Sequence, residues 1–201
     1  MLWRAAHPLV LASHSAIRRK LLESAGIPVE VSVVDLDERA IEARGGPLSP
    51  TAVAILLARA KAQAVATALP GQLVLGADQT LALGARRFTK PPDIAAAREQ
   101  LRILSGQTHE LCSAFAIVRD RQVIFSHCEI ARMTMRPLSA AFLDAYLAAA
   151  GPGVCASVGA YQLENLGIHL FERIEGDHFT ILGLPLMPLF DYLRREGFVA
   201  A

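Results

Sequence analysis

Short apolar runs alternate with helix-patterned stretches along the first half of the chain, and few architectures can bury both. Leu9-Val10-Leu11-Ala12 runs into the polar turn Ser13-His14-Ser15, after which Ile17, Leu21 and Leu22 recur at helical spacing. Val29 to Val34 is rich in β-branched residues, reads as a second strand, and ends in the acidic group Asp35, Asp37 and Glu38. Thr51 to Leu69 is alanine-rich, with apolar residues at Val53, Leu56, Leu57, Ala60 and Ala64, and predicts a long helix stopped by Pro70-Gly71. Leu73 to Leu75 reads as a short buried strand running into Gly76-Ala77-Asp78, with a second apolar stretch at Leu81 to Leu83. This alternation favours a mixed α/β sheet.

The second half adds antiparallel pairing. Thr108 to Val118 and Val123 to Met135 are long β-like stretches, and Asp120-Arg121 between them predicts a hairpin. Helices are expected at Ile94 to Leu104 with Asp93 at its start, at Ser139 to Ala150 with Ser139 as cap, and at Leu186 to Glu196. Residues Arg44 to Pro50, with two glycines and two prolines, read as a loop. The fold expected is α/β: a mixed twisted sheet with flanking helices and a central cleft, not a purely doubly wound one. No repeat or low-complexity linker interrupts the chain, so residues 1–201 are read as a single domain.

Composition excludes several function classes. The chain is 53% hydrophobic and 19% charged, enough apolar material for a sizeable core. Its net charge is +1. Nothing general attracts it to nucleic acid or an anionic membrane, so any phosphate must be held by a local cluster. No apolar stretch is long enough to span a bilayer, and the first residues, broken by Arg4, His7 and Pro8, do not read as a signal peptide. Cys112, Cys128 and Cys155 are sparse and odd in number. They suit reduced thiols in a cytoplasmic protein better than a disulfide framework or a zinc site.

Four places can carry chemistry. The turn Ser13-His14-Ser15 leads into a helix start with Arg18, Arg19 and Lys20; free N–H groups, the helix dipole and a guanidinium favour a phosphate there. Local sequence alone favours the plainer reading, a capped helix with a solvated basic face, because basic first turns are common. Asp78, expected at a strand's C-terminal edge, can hold a divalent cation or orient a water, or can simply cap a turn. Lys90, before Pro91-Pro92, is held extended and suits a phosphate contact or a plain surface loop. The polar stretch Gly159 to Asn165, followed by Ile174-Glu175-Gly176-Asp177, reads as a pocket wall or as ordinary turn chemistry. Taken alone, Asp35, Asp37 and Glu38 form a solvated loop. No Walker loop, dinucleotide fingerprint or serine triad signature is present.

In order along the chain, these segments resemble the Maf family of Maf/Ham1-like nucleotide pyrophosphatases. The resemblance is carried by Leu11-Ala12-Ser13-His14-Ser15 with Arg18-Arg19 and Leu21-Leu22, by Asp35-Leu36-Asp37-Glu38, and by Ala58-Arg59-Ala60-Lys61-Ala62. Gly76-Ala77-Asp78, Lys90-Pro91, Leu104 to His109, Gly159-Ala160-Tyr161, Ile174-Glu175-Gly176 and Leu182-Gly183-Leu184-Pro185 continue it, from about residue 9 to about residue 195. The resemblance implies an α/β/α fold. It also implies hydrolysis of nucleoside triphosphates, non-standard or modified ones among them, to monophosphate and pyrophosphate with a divalent metal, Mg²⁺ or Mn²⁺. By position, Ser13 and Arg18 match the phosphate-binding turn, and Lys61 and Lys90 match cationic phosphate contacts. Asp78 and Glu38 match the carboxylates that hold metal or activate water. Glu164 stands where the family usually has a substrate-facing glutamine. Ala16-Ile17 replaces a proline and an arginine, Gln79 follows Asp78 where a threonine is usual, and Cys155 to Val158 lacks a usual aspartate. These departures bear on base preference more than on reaction class. A homodimer is also what the resemblance suggests.

The chemistry expected is attack of water at the α-phosphorus with loss of pyrophosphate, Asp78 activating the water, with Glu38 and Glu164 as alternatives for that role. The alternative is a nucleotide-sensing or division-regulating protein without turnover, for which Glu164 and Ile17 are the motivating features. An inosine triphosphate-type pyrophosphatase ranks behind both.

Overall fold

In the computed structural model, which describes residues 2–200, the first apolar run is strand β1 (Leu9–Ala12), buried along its whole length. Met1 and Ala201, the ends of the expected domain, lie outside the described residues. The Ser15 side chain accepts the Arg18 backbone N–H and so starts helix α1 (Ala16–Ser24). Strand β2 pairs parallel to β1 but covers only Val29–Val31, not the expected run to Val34. The partner sets this length. β1 ends at Ala12, so Val33 and Val34 find no ladder and stay exposed.

Helix α2 (Glu38–Gly45) runs from the acidic group expected as a solvated loop into the start of the expected Arg44–Pro50 loop. None of its residues is buried, so it has no apolar stripe to betray it. Helix α3 (Pro50–Ala66) is the expected long helix, begun by a Ser49 cap with Pro50 in the first turn and ending before Leu69. Strand β3 (Val74–Leu83) is the spine of the sheet. It pairs parallel to β1 on one side and antiparallel to β5 (Thr108–Arg119) on the other. Strand β4 (Arg86–Phe88) folds back onto its end. Here the expectation for Asp78 is corrected. It is not at a strand edge but within one ten-residue strand, because β5 pairs β3 without a break from Val74 to Ala82.

β5 and β6 (Gln122–Met135) form the expected hairpin, and Asp120 and Arg121 adopt φ of 51° and 66°, as a two-residue type I′ turn demands. Helices α4 (Ile94–Leu104) and α5 (Ala140–Ala150) start at the expected caps Asp93 and Ser139. β7 (Phe171–Glu175), the short α6 (His178–Ile181) and α7 (Leu186–Arg195) complete the chain; the first two were not expected. The seven strands lie in the order β2-β1-β3-β5-β6-β7, with β4 on β3.

Alternation along β3 divides the core. Val74 and Gly76 face α3, where Ala54, Ala58, Ala62 and Val65 pack on Val10, Ala12, Ala114 and Ala116. Leu75 and Ala77 face the other side, against Leu22 of α1 and Leu189 and Leu193 of α7. Further along that same face, Leu81 joins a separate cluster with Leu101 of α4 and Leu143 of α5. Between the two clusters the register sets Gln79, Ser113 and Glu129 side by side, and α6 lies over them.

Candidate active site

β3 outruns β1. The last β1 pair is Ala12 with Gly76, and two residues later Asp78 emerges beside the turn that follows β1. Gly76 decides how close α3 comes. A Cβ there would sit 2.2 Å from the Ala58 carbonyl oxygen and 2.7 Å from the Ala62 nitrogen, so only glycine lets the helix lie on the strand backbone. Lys61, between those two alanines, thereby places its Nζ 2.6 Å from Asp78 Oδ1. The same Nζ is 2.8 Å from Glu38 Oε1, on the first residue of α2. Thr80, next on that face, donates its hydroxyl to the Pro50 carbonyl at 3.0 Å and fixes the start of α3.

Arg18 comes in from the β1 side. Its Nη1 donates to Ser13 Oγ at 3.1 Å and to the Ala77 carbonyl at 2.9 Å, and its Nε donates to the Gly183 carbonyl at 2.8 Å. Three of the five guanidinium donors are thus spent on holding the group. The two on Nη2 have no protein partner among the described residues and remain for an anion. Ser13, Arg18, Lys61, Asp78 and Glu38, five residues named from sequence, therefore form one connected group at the end of β1.

Burial dominates its electrostatics. Withdrawal from water pushes the Asp78 carboxyl above its ordinary range, against the pull of Lys61 and Arg18. The same cause lowers Arg18, while Asp78 and Glu38 hold it up. A guanidinium starts so high that it stays charged. Chemically, the group offers a carboxylate made more basic by burial, a second and more exposed carboxylate, and two cations.

Lys90 and Glu164 are not drawn into this group. Both are exposed, and neither makes a hydrogen bond or ion pair among the described residues. Lys90 lies in the irregular segment after Phe88, and Glu164 in a turn before the 3₁₀ segment Leu166–Leu170. A hollow of about 390 Å³ beside α2, lined by Arg39, Glu42, Leu48, Val53 and Arg87 among others, starts one residue beyond Glu38. Another, of about 240 Å³ between Tyr146, Val154, Gln162 and Leu166, lies in the α5 region and contains none of the group. Sequence reasoning gives no role to Gln79, noted only as a departure, or to Gly183, noted only within the Leu182–Pro185 match, and it misses Ser113 and Thr180 altogether. The signal for Gln79 was its place directly after Asp78; Ser113 and Thr180 are single polar residues in apolar surroundings and announce nothing.

Two carboxylates, one ammonium between them, and no third acidic or imidazole group suit a cation that brings its own ligands. Among the described residues no set of three such side chains converges. Mg²⁺ commonly takes one or two carboxylates and completes its shell with water and substrate phosphate oxygens. Asp78 and Glu38 supply hard carboxylate oxygens of the kind that Mg²⁺ or Mn²⁺ takes, and both reach the Lys61 ammonium.

A family model described as "Maf-like protein" matches residues 8–196. The chain belongs to the Maf family. It is 56% identical over 199 residues to a protein of Bradyrhizobium diazoefficiens named nucleoside triphosphate pyrophosphatase, covering 99% of this chain and 98% of that one. To a protein of the same name in Rhodopseudomonas palustris strain BisB18 it is 54% identical, with the same coverage. A Rhizobium johnstonii protein named 7-methyl-GTP pyrophosphatase is 51% identical over 191 residues, 94% of this chain and 96% of that one. Among solved structures, a HAM1 protein from Coxiella burnetii shares the fold at a TM-score of 0.50 and 13% identity, over 93% of this chain and 98% of that one. In this Maf chain the matched region includes every residue of the Arg18–Asp78 group. No helix among the described residues is long and apolar enough to cross a membrane.

Proposed function

We propose that this chain is a nucleoside triphosphate pyrophosphatase that cleaves between the α- and β-phosphates, releasing monophosphate and pyrophosphate. One observation carries the reading: a buried Asp78 carboxylate bonded to Lys61 and flanked by Arg18 with two uncommitted donors, in a chain more than half identical to proteins of that name.

In this reading the triphosphate lies across the end of β1. Arg18 Nη2 and Lys61 hold oxygens that gain charge as the bridging bond breaks, and the Ser13 turn orients the guanidinium. Asp78 accepts a proton from a water aligned on the α-phosphorus. The water oxygen bonds to that phosphorus, the α–β bridging bond breaks, and pyrophosphate leaves with the bridging oxygen. Burial raises the proton affinity of Asp78, which favours it as a general base. Asp78 and Glu38 would hold the divalent cation, whose chemistry when bound is to neutralise phosphate charge. Lys90 and Glu164, both exposed, are assigned to substrate binding, Lys90 as a cationic phosphate contact. The three free thiols suit a reducing cytoplasm.

The test is a panel of triphosphates (dTTP, UTP, the common purine nucleotides and 7-methyl-GTP) with Mg²⁺, scored for pyrophosphate and monophosphate. Stoichiometric formation of both from at least one member supports the reading. Release of orthophosphate instead, or binding without product, contradicts it, and the latter outcome favours a sensor.

A further inference from the structure

We infer that Gln79 is a positioning residue for the phosphate-binding guanidinium of Arg18, acting through the turn that follows α6. The inference rests on the reading of Arg18 given above.

The two residues Asp78 and Gln79 point to opposite faces of β3. Asp78 meets Lys61 on the α3 side. Gln79 lies on the other side, in the polar row between two apolar clusters. Its Nε2 donates to Ser113 Oγ at 2.8 Å, to the Ile181 carbonyl at 3.0 Å and to the Thr180 carbonyl at 3.2 Å. Ser113 Oγ in turn donates to the same Thr180 carbonyl at 2.6 Å. Thr180 and Ser113 are fully buried, so these bonds have no water to replace them.

The clamped segment reaches Arg18 within two residues. Gly183 turns back to donate its N–H to the Thr180 carbonyl at 3.0 Å, with φ of +93°. Its own carbonyl then accepts from Arg18 Nε at 2.8 Å. Any side chain at Gly183 would strain that backbone, and its Cβ would crowd Arg18 Nη2 at 3.3 Å. The turn also bridges the divide in the core, since Ile181 belongs to one apolar cluster and Leu184 to the other. Among the described residues, the other side-chain hydrogen bonds from the sheet to this turn are those of Ser113 to the Thr180 carbonyl and of the Thr180 hydroxyl to Glu129. A single strand thus sets both sides of the site: Asp78 directly, and the cation through Gln79, the Thr180–Gly183 turn and Arg18.

The test uses Gln79→Met, which keeps side-chain length and removes both amide donors, together with Arg18→Gln and the double variant. The probe is inorganic pyrophosphate with Mg²⁺, titrated calorimetrically. The expectation is that Q79M weakens binding about tenfold, that R18Q weakens it at least as much, and that the double variant binds no worse than R18Q. Triphosphate kcat/KM should fall about tenfold with Q79M, through kcat as well as KM, because Arg18 holds oxygens that gain charge in the transition state. Wild-type affinity in Q79M, or effects that multiply in the double variant, would overturn the inference, because a residue acting through Arg18 has nothing to lose once Arg18 is gone. Should R18Q not fold, hydrogen exchange at Arg18 Nε–H, read by ¹⁵N NMR, decides: faster exchange in Q79M supports the inference and an unchanged rate overturns it. This readout needs no turnover. A wild type that binds pyrophosphate yet hydrolyses no triphosphate refutes the proposed function alone, whereas normal hydrolysis with an indifferent Q79M refutes the positioning role alone.

Discussion

Replacing Gly76 by alanine tests how the fold builds the site. The new methyl would sit 2.2 Å from the Ala58 carbonyl oxygen, 2.7 Å from the Ala62 nitrogen and 2.9 Å from the Ala62 Cβ. Two of these are helix backbone and cannot rotate away. Ordinary contact begins near 3.4 Å, so α3 must retreat by about 1 Å. Overpacking of this kind costs roughly 1–3 kcal/mol. Lys61 rides on the same turn of helix, so its 2.6 Å bond to Asp78 opens by a similar distance. A misplacement of about 1 Å in a catalytic group can cost on the order of a hundredfold in rate. Urea unfolding of G76A should therefore show a lower midpoint with an unchanged slope. The folded variant, assayed well below its unfolding transition, should release pyrophosphate about a hundredfold more slowly. Wild-type stability and rate in G76A would refute the argument that this close approach places the lysine.

Three further outcomes follow from single contacts. Lys61→Met removes the cation that holds down the Asp78 carboxyl, so the acid limb of the kcat/KM profile should move to higher pH while the rate drops about a hundredfold or more; an unmoved limb would separate Lys61 from Asp78. His109 is fully buried, bonded through Nε2 to the Tyr161 hydroxyl at 2.7 Å, and burial pushes its pKa down to about 4 from an ordinary 6.5. Between those values the unfolded chain binds the extra proton, so stability should fall by roughly 3 kcal/mol as pH drops from 6.5 to 4, and His109→Phe should remove that increment in urea titrations at the two pH values. Arg121→Gly relieves a left-handed residue in the β5–β6 turn and should raise the unfolding free energy by about 1 kcal/mol.

The legible parts of the chain were those where local chemistry and tertiary context agree. Ser49, Asp93 and Ser139 cap helices whose apolar spacing is plain, and Asp120-Arg121 separates two strands long enough to show their character. α2 was not legible because a helix that buries nothing has no stripe, and the short β7 and α6 because a few residues are too short a window for a period. The two apolar stretches around Asp78 read as separate because a carboxylate interrupts them. What joins them is β5, a partner distant along the chain, with Leu75 opposite Ile117 and Leu81 opposite Leu111. The site divides in the same way. Ser13, Arg18, Glu38, Lys61 and Asp78 were named in advance and meet in space. Local sequence leaves the Ser13–Arg18 turn and Asp78 open between a ligand contact and an ordinary capping residue, reads Glu38 as a solvated loop and says nothing of Lys61; only the ordered resemblance to one family joins them. Gln79, Thr180 and Gly183 work through backbone carbonyls, which have no sequence signature.

Asp78→Asn is the change that bears most directly on whether this group is a catalytic site. The amide keeps the size of the side chain and a carbonyl oxygen for Lys61 while removing the charge and the base. With the thermal unfolding midpoint measured alongside, pyrophosphate release from the best triphosphate of the panel should fall about a thousandfold in a protein that still melts cooperatively. Undiminished release from clean, folded D78N would mean that the carboxylate at the heart of this arrangement does not perform the reaction.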